Sequence, residues 1–170
     1  MGLYGCSNNE DPPPAEETPS ETLDLNGLPD FQGVDLYGNS VTEDVFNEHS
    51  LTMVNVWGTF CDPCIREMPD LARLYGELQE KDINLVGIMV DVSEDKNKDL
   101  AIQITEDNGV KYLNIIPDDA LIDYLYNNIS GVPTTLFVDR EGNIIGEPVV
   151  GARDKDTYMQ IAMERLEEAK

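Results

Sequence analysis

Cys61 and Cys64 are the residues in this sequence whose type and spacing could do chemistry. Two thiols with two residues between them can close into a disulfide and open again by exchange with another disulfide. The same spacing is also half of a zinc site. A structural zinc takes about four ligands, and the rest of the chain supplies one histidine, His49, and one remote thiol, Cys6. The reading is therefore redox chemistry, with no metal and no cofactor. His49 reads as a loop residue rather than a catalyst.

The elements around the pair must position it. Residues 51–57 are rich in β-branched and aromatic side chains and read as a buried strand. After the cysteines, Ile65, Met68, Leu71, Leu74, Tyr75 and Leu78 recur at helical spacing. Cys61 then lies at a helix N-terminus, where free N–H groups favour a thiolate, and Cys64 lies one turn on. Pro63 falls harmlessly in the first turn, whereas Pro69 falls deeper and predicts a kink. Residues 83–90 make a second apolar strand, and the helix between the two makes them parallel. A helix over 97–108, an extended piece over 112–116 and a short helix over 120–126 follow. Residues 131–139 run from a proline turn into a third strand. A hairpin turn at Glu141-Gly142-Asn143 leads to a partner strand over 144–150, and residues 154–170 form a last helix. Upstream, Gly38-Asn39 predicts a hairpin within 35–41, and Thr42-Glu43-Asp44 a helix start.

The chain has 170 residues, enough for one full core. Its 11 Lys and Arg against 34 Asp and Glu give a net charge of −23, which argues against nucleic acid or an anionic membrane surface as an electrostatic partner. No apolar run reaches the roughly 18 residues that a membrane-spanning helix requires. Residues 1–27 are acidic, proline-rich and without apolar periodicity, and read as a tether; residues 28–170 read as the folded domain.

The run Trp57-Gly58-Thr59-Phe60-Cys61-Asp62-Pro63-Cys64, with Arg66-Glu67-Met68-Pro69 behind it and Gly131-Val132-Pro133-Thr134-Thr135 downstream, resembles the thioredoxin superfamily, and within it the extracytoplasmic TlpA/ResA branch. The resemblance implies an α/β thioredoxin-like fold: a central mixed sheet flanked by helices, with an N-terminal hairpin and a helical insertion. It also implies a protein-disulfide oxidoreductase in which Cys61 attacks and Cys64 resolves. Pro133 would follow a cis bond and set the backbone of Val132 opposite Cys61 for an extended substrate segment. Trp57 and Phe60 would line that docking surface. Where cytosolic thioredoxin has a buried acid, this chain has Asn55, so the resemblance assigns the proton acceptor for Cys64 to Glu94, with Asp91 as the fallback. Asp62 opposes the helix terminus at Cys61, which favours a reductant over a strong oxidant. Leu3-Tyr4-Gly5-Cys6 resembles the end of a bacterial lipoprotein signal, implying a lipid on Cys6 and an anchored extracytoplasmic domain. Implied clients are apocytochromes c or extracytoplasmic repair enzymes, with electrons from a membrane thiol donor. The alternatives are a disulfide-donating oxidant, a thiol peroxidase using Arg66, or a non-catalytic redox-sensing or metal-carrying lipoprotein.

Overall fold

The computed structural model describes residues 26–170; Cys6 and residues 1–25 of the expected tether lie outside them. The described chain opens with a hairpin of β1 (Gln32–Asp35) and β2 (Ser40–Thr42). Its turn is set by Asp35, whose carboxylate accepts from the backbone N–H groups of Tyr37 and Asn39, and by Gly38 at φ 87°, where a side chain would be strained. A 3-10 turn over Glu43–Phe46, capped by Thr42, leads to β3 (Leu51–Trp57). Then come α1 (Asp62–Gln79), β4 (Ile83–Met89), α2 (Lys98–Asp107), β5 (Leu113–Ile116), α3 (Asp119–Asn128), β6 (Thr134–Val138), β7 (Val149–Val150) and α4 (Lys155–Glu168).

The strands form one sheet in the order β2-β1-β5-β4-β3-β6-β7. β3, β4 and β5 are parallel, and the other pairings are antiparallel. β3 and β4 are buried along their whole length, as expected of central strands covered on both faces. Period-two alternation then sorts their side chains. Leu51, Met53 and Leu85 face α1 and α4, packing with Leu71, Leu74, Tyr158 and Ala162. Val54, Val56, Val86 and Ile88 face the other way, packing with Leu121 and Leu125 of α3. A third cluster closes the end of the sheet where β3 and β4 finish, and it contains Trp57, Cys61, Cys64, Met68 and Met89.

The structure differs from the sequence reading in two places. The extended piece at 112–116 is a sheet strand, β5, inserted between β1 and β4, so the expected helical insertion also widens the sheet. The strand expected over 144–150 contracts to Val149–Val150 plus a bridge from Val138 to Ile144, because Gly146 turns with φ 68° and Pro148 has no N–H to give. α1 runs as one helix over Asp62–Gln79 with Pro69 inside it, where that residue removes one rung of the hydrogen-bond ladder.

Candidate active site

The site is built where β3 hands over to α1. Cys61 is the N-cap of α1 in extended conformation, and its Sγ accepts from the Cys64 backbone N–H at 3.3 Å. The two cysteines are joined in a disulfide with Cα atoms 5.3 Å apart. Cys61 retains 6% of its surface and Cys64 1%, so the first cysteine is the more exposed of the two. Cys61 Sγ stands 3.6 Å from the Val132 carbonyl oxygen, and the Val132–Pro133 bond is cis. Gly151 N–H donates to Pro133 O at 2.8 Å, tying the β7–α4 segment to this loop.

Phe60, 67% exposed, projects beside Cys61, and its ring fills the space a side chain on Gly58 would need. Trp57 does not join it on the surface, which corrects the expectation for that residue. It is 0% exposed, packs in the cluster beneath the disulfide and donates from Nε1 to Asn114 Oδ1 at 2.9 Å. The reason is its place in β3: it is the last residue on the α1 face of a strand buried throughout. Gly87 makes room for this contact, since a Cβ there would meet Asn114 Oδ1 at 2.1 Å.

The acid near the pair is also not the expected one. Glu94 is exposed and makes no hydrogen bond or ion pair among the described residues. Asp91 is engaged elsewhere: it accepts from Thr59 N at 2.9 Å, Thr59 Oγ1 at 2.5 Å and Asn97 Nδ2 at 3.3 Å, and so fixes the loop before Cys61 to the loop after β4. The carboxyl group buried with Cys64 belongs to Glu67, one turn further along the same face of α1 and 4% exposed. Its Oε1 accepts from Asn55 Nδ2 at 2.9 Å; its Oε2 accepts from Tyr158 Oη at 2.9 Å and Arg153 N at 3.1 Å. Burial pushes its pKa above the ordinary carboxylate value, and the bonds from Asn55, Tyr158 and Arg153 work against that rise. It borders a cleft of about 230 Å³ between Arg66 and Arg153, which opens to solvent.

Glu67 was legible as an anomaly. An acid three residues after Cys64 occupies the stripe that otherwise buries Met68, Leu71, Leu74 and Leu78. Asn55 gave the complementary signal, an amide in a strand with every neighbour buried. His49 lies at the far end of β3, paired with Asp82.

Comparison with known proteins agrees with this geometry. The AhpC/TSA family profile matches residues 26–146. A curated relative, thiol-disulfide oxidoreductase ResA of Bacillus cereus, is 25% identical over 75% of this chain and 70% of its own length. A protein of the same name from Geobacillus kaustophilus is 30% identical over 68% of this chain and 63% of its own. Among solved structures, a thiol:disulfide interchange protein of the thioredoxin family from Chlorobium tepidum superposes with a TM-score of 0.70 at 25% identity, covering 84% of this chain and 97% of that one.

Proposed function

We infer that the chain, which belongs to the AhpC/TSA family, is a thiol–disulfide oxidoreductase that reduces disulfides of client proteins outside the cytoplasm. The observation that carries this is the Cys61–Cys64 disulfide at the start of α1, with Cys61 the more exposed of the two and beside Val132, Cys64 buried, and the buried Glu67 one turn on from Cys64 in the same helix. In the dithiol form, the Cys61 thiolate attacks one sulfur of the client disulfide. A mixed disulfide forms, the client bond breaks, and the first client thiolate leaves and takes up a proton. Cys64 gives its proton to Glu67 and attacks Cys61 Sγ. The second client thiolate leaves, so two electrons have passed to the client and the protein holds its disulfide again. The Val132 backbone, Pro133 and exposed Phe60 form the surface on which an extended client segment rests.

A membrane thiol donor would restore the dithiol. A lipid on Cys6, joined through the acidic tether, would keep the domain beside that donor; apocytochromes c or repair enzymes with oxidised cysteines are the clients this arrangement suits. No described helix is long and apolar enough to cross a membrane. A peroxidase reading has less support. Thr59, the nearest hydroxyl before Cys61, is committed to Asp91, and Arg66 is exposed and lines the cleft beside Glu67.

The test is a pair of variants assayed with a disulfide-bonded client and a thiol reductant. Cys61→Ser should abolish turnover, and Cys64→Ser should accumulate a mixed disulfide through Cys61 detectable by mass. Turnover by Cys61→Ser equal to the parent's would overturn the assignment.

A further inference from the structure

We propose that Tyr158 is a positioning residue for this reaction, holding the Glu67 carboxylate in its proton-accepting form through a hydrogen-bond chain that runs from β3 across β6 to α4. The inference rests on the reading of Glu67 as proton acceptor. The chain has a direction. Asn55 Nδ2 donates to Thr135 Oγ1 at 3.2 Å, Thr135 Oγ1 donates to Tyr158 Oη at 3.2 Å, and Tyr158 Oη donates to Glu67 Oε2 at 2.9 Å. Asn55 Nδ2 also donates directly to Glu67 Oε1. An amide NH₂ can only donate, and so can the Arg153 backbone N–H. Both fixed ends therefore favour a carboxylate without a proton.

Tyr158 is different in kind. A hydroxyl can turn, so its oxygen can accept a proton's hydrogen bond from Glu67 once Glu67 is protonated, while its own O–H turns to Thr135. It is the partner that can serve both states of Glu67, and it sits wholly buried in the core. Bonds to the ionised state are the stronger ones. Removing the hydroxyl thus harms the anion more than the acid, and in a buried network the effect is not damped by solvent. Other charged or titratable groups face Glu67 too: Arg153 from the β7–α4 segment, Tyr112 ahead of β5, and Arg66, Asp70 and Asp154 around the cleft. None of these side chains donates a hydrogen bond to it.

The test follows the rate at which the reduced full-length protein is oxidised by an excess of a disulfide-bonded peptide, from pH 5 to 9, by acid quench and thiol counting. Tyr158→Phe should be about tenfold slower on the acid side of the profile and should match the parent on the alkaline plateau. Thr135→Val should shift the profile the same way by less, and Thr135→Ser should restore it. Tyr158→Phe tracking the parent at every pH, or slowed by one factor at every pH, would overturn the proposal. Glu67→Gln separates the two readings. If it slows the reaction on the alkaline plateau while Tyr158→Phe tracks the parent at every pH, the Tyr158 inference alone fails; if it too tracks the parent at every pH, the Glu67 reading fails and the Tyr158 inference with it.

Discussion

Two carboxylates at opposite ends of β3 gather a similar set of donors and are driven in opposite directions. At one end Asp82 accepts from Ser50 N at 3.2 Å and Ser50 Oγ at 2.5 Å, pairs with His49 Nδ1 at 3.2 Å, and meets Arg140 Nη2 at 3.3 Å. The Ser50 hydroxyl and its other partners hold it below the ordinary aspartate value. At the other end Glu67 has the bonds from Asn55, Tyr158 and Arg153, yet its pKa is raised. The difference is solvent. Asp82 is exposed, so little opposes its charge. Glu67 has lost its hydration, and three hydrogen bonds do not replace it. An acid of the first kind pins a loop. One of the second kind holds its proton more readily than an exposed carboxylate does, which suits it to accept one beside a buried thiol.

The comparison can be broken by substitutions whose expected effects fall in order. Glu67→Ala leaves Asn55 Nδ2, Tyr158 Oη and the Arg153 N–H without their acceptor, and should destabilise the fold by about 3–5 kcal/mol in urea unfolding. A loss below about 1 kcal/mol would mean that the network is slack. Gly87→Ala should cost about 1–3 kcal/mol by driving a methyl group into the Asn114 amide, and should alter the emission of Trp57, the protein's one tryptophan. Unchanged emission would show that the Trp57–Asn114 bond is not strained by the methyl.

Glu67→Gln sharpens the sign. Because the folded-state pKa of Glu67 lies above the ordinary glutamate value of 4.5, the unfolded chain releases this proton first. The penalty of burying the charge is absent below that value and grows as pH rises through the folded pKa. Stability of the parent relative to Glu67→Gln should therefore fall as pH is raised across that window, and a rise would reverse the assignment. Asp82→Ala should be the mildest, about 0–1 kcal/mol and smaller in high salt, with no effect on disulfide turnover.

How much of this was legible beforehand depended on the range of the interaction. The strand, turn and helix that carry Cys61 and Cys64 follow from period and capping, which are local, and Val132-Pro133 was marked by its motif. What escaped was long-range. Glu67 and Tyr158 are 91 residues apart, and Asn55 and Thr135 are 80 apart. Only the sheet order, with β3 between β4 and β6, brings them to one point. Trp57 was misplaced for the opposite reason: adjacency to the motif suggested the surface, whereas strand alternation put it underneath. Glu94 was chosen by loop position, which carries no information about burial.

The midpoint potential of the Cys61–Cys64 pair tests the central claim, that this protein gives electrons to its clients. It is measured by equilibrating the protein in dithiothreitol or glutathione buffers and counting free thiols by mass. The expected value is near or below about −220 mV, on the thioredoxin and glutaredoxin side of the scale. A value near about −120 mV would mark a disulfide donor and contradict it.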